Sequence, residues 1–116
     1  MPMIVIRCPK CGACLQTAGP ALWCSVRGCG YATTVRQWEA AVAAARAILA
    51  EYHRATVQHS PMASAHEGYA VLLEEVNELW EQVKRRDRDR EAMRKEAVQV
   101  GAMALRFLVD VCGEVE

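Results

Sequence analysis

The apolar residues after position 35 recur at steps of three and four, a spacing that places them on one side of an α-helix. In the first such stretch, residues 36–57, they are Trp38, Val42, Ala45, Leu49 and Tyr52. The pattern predicts an amphipathic helix. We expect it to fade near Gln58, because Pro61 disfavours helical geometry in the residue before it.

Two further helices follow from the same pattern. The second is predicted to begin at Ser64, an acceptable N-cap with Glu67 three residues later as a capping-box partner. Its apolar positions are Tyr69, Leu72, Leu73, Val76, Leu79, Trp80 and Val83. After a charged connector, a third helix is predicted from about Arg90 to Val111. Its apolar positions are Met93, Ala97, Val100, Ala104, Phe107, Leu108 and Val111.

The first 35 residues are rich in glycine, proline and cysteine and lack this period. We therefore predict two domains, a small module in residues 1–35 and a helical domain in residues 36–116, and a fold that is mainly α. Three helices of about 20 residues with broad apolar faces make a poor self-contained bundle. We expect the subunit to complete a larger helical bundle as a homodimer or homotetramer.

The charges balance overall but not along the chain. Fourteen Lys and Arg residues cancel fourteen Asp and Glu residues, yet residues 1–36 contain four bases and no acid. Apolar residues make up 53% of the chain, which excludes wholesale disorder. No apolar run approaches the ~18 residues of a membrane span, and no charged start leads into an apolar signal segment. We expect a soluble cytoplasmic protein that does not bind membranes.

Five of the six cysteines lie close together in the sequence: Cys8, Cys11, Cys14, Cys24 and Cys29. Disulfides are rare in a reducing cytosol, and this spacing is typical of a tetrahedral zinc site. Glycine follows Cys11 and Cys29, where it relieves crowding in the turn around the metal. We therefore prefer Cys8, Cys11, Cys24 and Cys29 as the zinc ligands, although Cys14 is near enough to Cys11 to replace it.

This arrangement resembles a zinc ribbon, in which two cysteine pairs are joined by short strands. The first pair matches the usual form, whereas four residues instead of two separate Cys24 from Cys29. A module this short buries little core, so a structural Zn²⁺ would supply most of its folding energy. The alternatives are small buried cysteines or a redox-active pair at Cys8 and Cys11. We interpret Cys112 as a packing residue.

Three glutamates occupy the middle of the second helix, on the face opposite its apolar residues. Glu75 and Glu78 are one turn apart, as are Glu74 and Glu78. A solvated acidic face is one interpretation of this spacing. The other is that the carboxylates bind Mg²⁺ or Mn²⁺, which favour oxygen ligands. If the third helix packs antiparallel to the second, Glu96 approaches Glu75 and Glu78 at the edge of the interface.

At these residues the chain resembles the MazG-like all-α nucleotide pyrophosphohydrolases, in their phage and bacterial branch. The resemblance is carried by two stretches, residues 66–75 and residues 95–107. The first ends in Glu74 and Glu75, which form a Glu-Glu-x-x-Glu motif with Glu78 in the next turn. The resemblance spans residues 62–112, with 36–57 as the first helix. It implies an enzyme that uses divalent metal ions to cleave a nucleoside triphosphate into a monophosphate and pyrophosphate. Its role would be nucleotide-pool control, and a phage-encoded member would act in the cytoplasm of the host.

The resemblance also implies roles for individual residues. Glu75, Glu78 and Glu96 would be the magnesium ligands, with Glu74 as an auxiliary ligand or base. Gln99 stands where the family usually has aspartate. Its neutral oxygen would bind a metal more weakly than a carboxylate, either directly or through a water molecule. Alternatively, Gln99 would contact the substrate. The number of catalytic metals therefore stays open.

Four other positions are candidates for contact with the nucleotide. The basic connector that begins at Lys84 could clamp pyrophosphate, or it could be a solvated, salt-bridged turn. Arg106 is our preferred phosphate contact. His66 and Trp38 could grip the base, although His66 could equally bond local backbone and a tryptophan is more often core.

A second function class is compatible with the same sequence. The chain could be a non-enzymatic adaptor whose basic zinc ribbon contacts nucleic acid or a protein partner, while the helices only associate. Trp23 and Tyr31 are the only aromatic residues of the ribbon. Two are too few for a convincing base-stacking surface, so the enzyme is the leading hypothesis.

Overall fold

The computed structural model describes residues 6–113, and the prediction of a mainly helical chain with three helices is confirmed. The helices are α1 (Val35–Gln58), α2 (Ala65–Val83) and α3 (Arg90–Asp110). The strands are β1 (Leu15–Ala18), β2 (Ala21–Cys24) and β3 (Ala32–Thr34). The chain divides into two compact units, and the boundary between them in the sequence falls within α1, between Ala43 and Ala44.

The N-terminal unit is built on a three-stranded antiparallel sheet in the order β1-β2-β3. Leu15 pairs with Cys24 and Ala18 with Ala21, so β1 and β2 form a tight hairpin. Leu22 is 1% exposed and is the largest fully buried side chain among the described residues. One such side chain is a small core for a folded unit, so a further source of stability is required.

In the second unit, α2 begins where its capping residues predict. The hydroxyl of Ser64 accepts a hydrogen bond from the Glu67 backbone N–H at 3.0 Å, as expected of an N-cap. The Glu67 carboxylate reaches back to the N–H of Ala63, one residue before the usual capping-box partner. α3 begins in the same manner, because the carboxylate of Asp89 accepts from the N–H of Glu91.

Helices α2 and α3 pack closely and antiparallel, since the start of α2 lies against the end of α3. A Cβ on Gly68 would lie 2.7 Å from the Phe107 ring and 3.0 Å from the Met62 sulfur, so only glycine permits this approach. The buried core beside this contact contains Ala55 of α1, Met62, and Ala102 and Met103 of α3. The close packing fixes the register of α2 against α3, and with it the neighbours of each polar residue on their shared edge.

Among residues 6–113, none of the helices combines the length and the apolar character needed to cross a membrane.

Candidate functional site

The N-terminal unit brings four cysteine sulfurs together. Those of Cys8, Cys11, Cys24 and Cys29 all lie within 4.8 Å of one another. The Cys8–Cys29 and Cys11–Cys24 sulfur pairs are 3.5 Å apart. Four thiolates about 2.3 Å from one zinc ion are about 3.8 Å apart, so this cluster could hold a metal such as zinc. Cys14 lies outside the cluster and is exposed.

The chain around the first cysteine pair folds so that backbone groups face the sulfur atoms. The N–H of Lys10 lies 3.4 Å from the Cys8 sulfur, and the N–H of Gly12 donates to the Cys8 carbonyl. Gly12 and Gly30 have φ values of 82° and 73°, a left-handed conformation that glycine adopts without strain. Glycine therefore suits the position after each cysteine pair, because the backbone there is left-handed.

The thiols differ in their affinity for protons. Burial opposes ionisation of Cys8, but the N–H groups of Cys11 and Lys10 and the neighbouring thiols lower its pKa to about 7. The N–H of Val26 favours the Cys24 thiolate, but burial and the other three thiols raise the pKa of Cys24 to about 12. Binding of a metal ion would therefore release protons from the cluster.

A second cluster lies in the helical unit, where α2 and α3 run side by side. One carboxylate oxygen each from Glu75, Glu78 and Glu96 lies within 4.8 Å of the other two. Oxygen ligands of one Mg²⁺ are about 3.0 to 4.2 Å apart, so these side chains need at most small rotations to share an ion. Of the described Lys and Arg side chains, none forms an ion pair with any of the three.

Among the three carboxyl groups, Glu75 holds its proton more strongly than a free glutamate does. Partial burial, then the charge of Glu78 and a hydrogen bond with its carboxyl group, raise the pKa of Glu75 to about 7. The charges of Glu96 and Glu74 act in the same direction. Near neutral pH, a proton therefore competes with a metal cation for the carboxylate of Glu75.

A cleft of about 710 Å³ opens next to this cluster and shares Glu75 with it. Glu67, Glu74 and Gln99 line its α2–α3 side. The opposite side comes from the last turns of α1 and the loop after it: Glu51, Arg54, Gln58, His59 and Ser60. No motif in the sequence pointed to these α1 residues as part of a site. Their only signal is the spacing of Glu51, Arg54 and Gln58, which places them on one face of α1.

Arg106 lines this cleft, and its side chain is already bound to other residues of the protein. It is 5% exposed and donates to the carbonyl oxygen of Ser60 at 2.7 Å. Its Nε lies 3.9 Å from the carboxylate of Asp110, which also accepts from the Met62 N–H at 3.0 Å. The two side chains thus fix the loop between α1 and α2 to the last turns of α3.

The other predicted substrate residues are spread over the molecule. Of these, only Gln99 joins Arg106 in lining the cleft. His66 is exposed on the first turn of α2 and is not among the lining residues. Lys84 is exposed, pairs with Glu81 at 2.9 Å, and lies outside the cleft as well. Trp38 belongs to the N-terminal unit.

Comparison with protein-family models, curated proteins and solved structures finds no match for this chain. The resemblance to MazG-like enzymes therefore stays a prediction, carried by the residues named above.

Proposed function

We propose that the helical unit is a metal-dependent nucleoside triphosphate pyrophosphohydrolase that converts a (d)NTP and water into a (d)NMP and pyrophosphate. The observation that carries the proposal is the convergence of Glu75, Glu78 and Glu96 beside a cleft. The cleft volume of about 710 Å³ lies within the range of pockets that bind small molecules.

Mg²⁺ or Mn²⁺ is the cation that this set of ligands suits, because all three donors are carboxylate oxygens. When bound, such an ion neutralises phosphate oxygens and lowers the pKa of a water ligand. Burial, and then repulsion by the neighbouring carboxylates, raise the pKa of Glu75 to about 7, and a divalent cation would relieve the repulsion.

The charges that line the cleft restrict what enters it. Four glutamates line it: Glu51, Glu67, Glu74 and Glu75. Of the two arginines that line it, Arg54 pairs with Glu51 and Arg106 is tied to Ser60. Because carboxylates outnumber arginines here, a bare polyphosphate would be repelled, so the substrate in this proposal is the metal complex of a nucleoside triphosphate. Glu74 is exposed at the cleft beside Glu75, and there it can accept a proton from an attacking water.

In the N-terminal unit, we propose a structural Zn²⁺ bound by Cys8, Cys11, Cys24 and Cys29. The support is the spacing of the four sulfurs together with the small core of the unit, in which Leu22 is the largest fully buried side chain among the described residues. A metal bound by four cysteines would supply the stability that this small core lacks.

The test is an assay of pyrophosphate release from each of the eight common NTPs and dNTPs in the presence of Mg²⁺. We expect release with at least one of them. We expect Glu75→Gln to lose it, because a neutral amide binds a divalent cation poorly. Glu81→Gln is the matched control on the same helix, since Glu81 is exposed and forms a surface ion pair with Lys84.

Three outcomes would contradict the proposal. They are no pyrophosphate from any of the eight nucleotides, full activity of Glu75→Gln, or release of orthophosphate instead of pyrophosphate. The first would favour the adaptor hypothesis, because the N-terminal unit would then carry the only candidate activity among the described residues.

A further inference from the structure

The cleft beside the carboxylate cluster is lined by two arginines, Arg54 of α1 and Arg106 of α3. The guanidinium of Arg106 is buried, donates to the carbonyl oxygen of Ser60 and lies near the carboxylate of Asp110. Turning Arg106 toward a ligand would leave that carbonyl oxygen without its donor, which is costly at a buried position. The sequence favoured Arg106 as the phosphate contact, but the structure uses this side chain to hold the loop after α1.

The surroundings of Arg54 are the reverse of those of Arg106. Its side chain is 62% exposed, and its one ion-pair partner among the described residues is Glu51, one turn earlier on the same helix. The hydrogen bond to Glu51 comes from Nη2, so Nε and Nη1 have no hydrogen-bond partner within residues 6–113. An exposed pair of this kind stabilises a helix only slightly. Arg54 can therefore turn toward a ligand at little cost to the fold.

The carboxylate cluster and Arg54 can be reached by the same ligand. Glu75 belongs to the cluster and also lines the cleft, and Arg54 lines the α1 side of the same cleft. Its volume of about 710 Å³ suits one molecule of nucleotide size. A triphosphate held by a cation at Glu75 therefore has Arg54 in the wall around it. A guanidinium is the side chain best matched to phosphate, because its planar fork donates to two oxygens at once.

The charges of the cleft give this contact a purpose. A cation at Glu75 binds only some of the phosphate oxygens, and the others carry negative charge into a cleft that is also lined by Glu51, Glu67 and Glu74. The side chain of Glu51 is only 14% exposed, so it is the anchored member of its pair with Arg54. Arg54 offsets the charge of Glu51 and still has donors for the phosphate oxygens that the cation leaves unbound.

We propose that Arg54 is the phosphate-binding residue of this cleft, donating from Nε and Nη1 to oxygens of a metal-bound triphosphate while Nη2 stays on Glu51. The inference rests on the proposed function for the identity of the ligand. It moves the phosphate contact from α3 to α1, and it gives the α1 side of the cleft a part in binding.

The test is binding of inorganic tripolyphosphate in the presence of Mg²⁺ by the whole protein, measured by isothermal titration calorimetry. This probe has no base and no sugar, so the result does not depend on which nucleotide is the substrate. We expect Arg54→Gln to weaken binding by about 10- to 100-fold, the loss expected for hydrogen bonds between charged groups. Arg54→Lys, which keeps the charge but not the fork, should fall between Arg54→Gln and wild type.

Arg46→Gln is the matched control, because Arg46 is exposed on the same helix and does not line the cleft. It should bind the probe as wild type does. Two results would overturn the proposal: wild-type protein that does not bind tripolyphosphate, or Arg54→Gln protein that binds it as tightly as the control.

A double-mutant cycle with Glu51→Gln separates contact with phosphate from compensation of Glu51. If Arg54 binds phosphate, Arg54→Gln still weakens tripolyphosphate binding by about 10-fold or more when Glu51 is already neutral. If Arg54 served only to offset the charge of Glu51, the loss would disappear in the Glu51→Gln background, and the proposal would be wrong.

Failure of this inference is distinguishable from failure of the proposed function. Tripolyphosphate binding that depends on Arg54, in a protein that releases no pyrophosphate from any nucleotide, would contradict the catalysis and support the phosphate contact. Pyrophosphate release by Arg54→Gln with the KM of wild type would support the catalysis and overturn the phosphate contact.

Discussion

The buried arginine of α3 provides the most quantitative test of the helical unit. Arg106 is the one buried charged residue among the described residues, and its guanidinium fixes the Ser60 carbonyl oxygen 46 residues away. We consider Arg106→Met, which keeps most of the apolar stem and removes the charge and every donor. The variant leaves Ser60 without its donor and Asp110 without its nearby cation.

The expected cost follows from these two contacts. A hydrogen bond from a charged donor contributes about 1.5–3 kcal/mol to stability. The Arg106–Asp110 pair is 3.9 Å long but mostly buried, so it adds on the order of 1 kcal/mol. We therefore expect the free energy of unfolding to fall by about 2.5–4 kcal/mol. Arg94→Met is the control, because Arg94 pairs with Glu91 on the surface of the same helix and should cost less than ~1 kcal/mol.

Urea denaturation followed by circular dichroism measures both variants, and Arg106→Lys separates charge from geometry. A lysine can donate to Ser60 but lacks the fork that also reaches Asp110, so we expect an intermediate loss. If Arg106→Met were as stable as Arg94→Met, the loop would not depend on this side chain. A stable Arg106→Met enzyme with a raised KM would instead favour the role in phosphate binding that the sequence suggested.

Three other changes test separate parts of the structure. Cys8→Ser should lose bound zinc, measured by mass spectrometry under native conditions, whereas Cys14→Ser should keep it; equal zinc content in both would refute the choice of ligands. Gly68→Ala should lower the free energy of unfolding by about 1–3 kcal/mol, since its Cβ would lie 2.7 Å from the Phe107 ring, and an unchanged denaturation midpoint would contradict this packing. In metal-free protein the raised pKa of Glu75 favours the folded state below pH 4.5, and this contribution is lost as pH rises through about 7. We therefore expect the free energy of unfolding of wild type to fall relative to that of Glu75→Gln as pH rises from 4.5 to 8, measured by urea denaturation. A difference that stays constant over this range would contradict the raised pKa of Glu75.

The helices and both clusters could be predicted because their signals are local. The apolar period and the Ser64 cap place α2 to within a residue, since a helix and its cap depend on neighbours in the sequence. Cysteine spacing selected the four sulfurs that the structure brings together. Glu75 and Glu78 are one turn apart on any helix, and an antiparallel α3 was the only additional assumption needed to add Glu96.

Other features depend on distant contacts and have no local signal. Arg106 looked like a free cation because its acceptor is the backbone carbonyl of Ser60, which any residue at that position would present. The cleft wall contributed by Glu51 and Gln58 depends on how α1 packs, which periodicity does not specify. The apolar residues of α2 looked like one face, but its packing divides them, so that Leu72 is partly covered while Trp80 is 56% exposed.

The central claim is that carboxylates from two helices jointly bind a divalent cation. The most direct measurement is the anomalous difference density of crystals soaked in Mn²⁺, compared between wild type and Glu96→Gln. We predict a peak within bonding distance of Glu75, Glu78 and Glu96 in wild type, and a weaker or absent peak in the variant. Wild-type density without manganese at this position, with the three carboxylates turned toward solvent, would contradict the account.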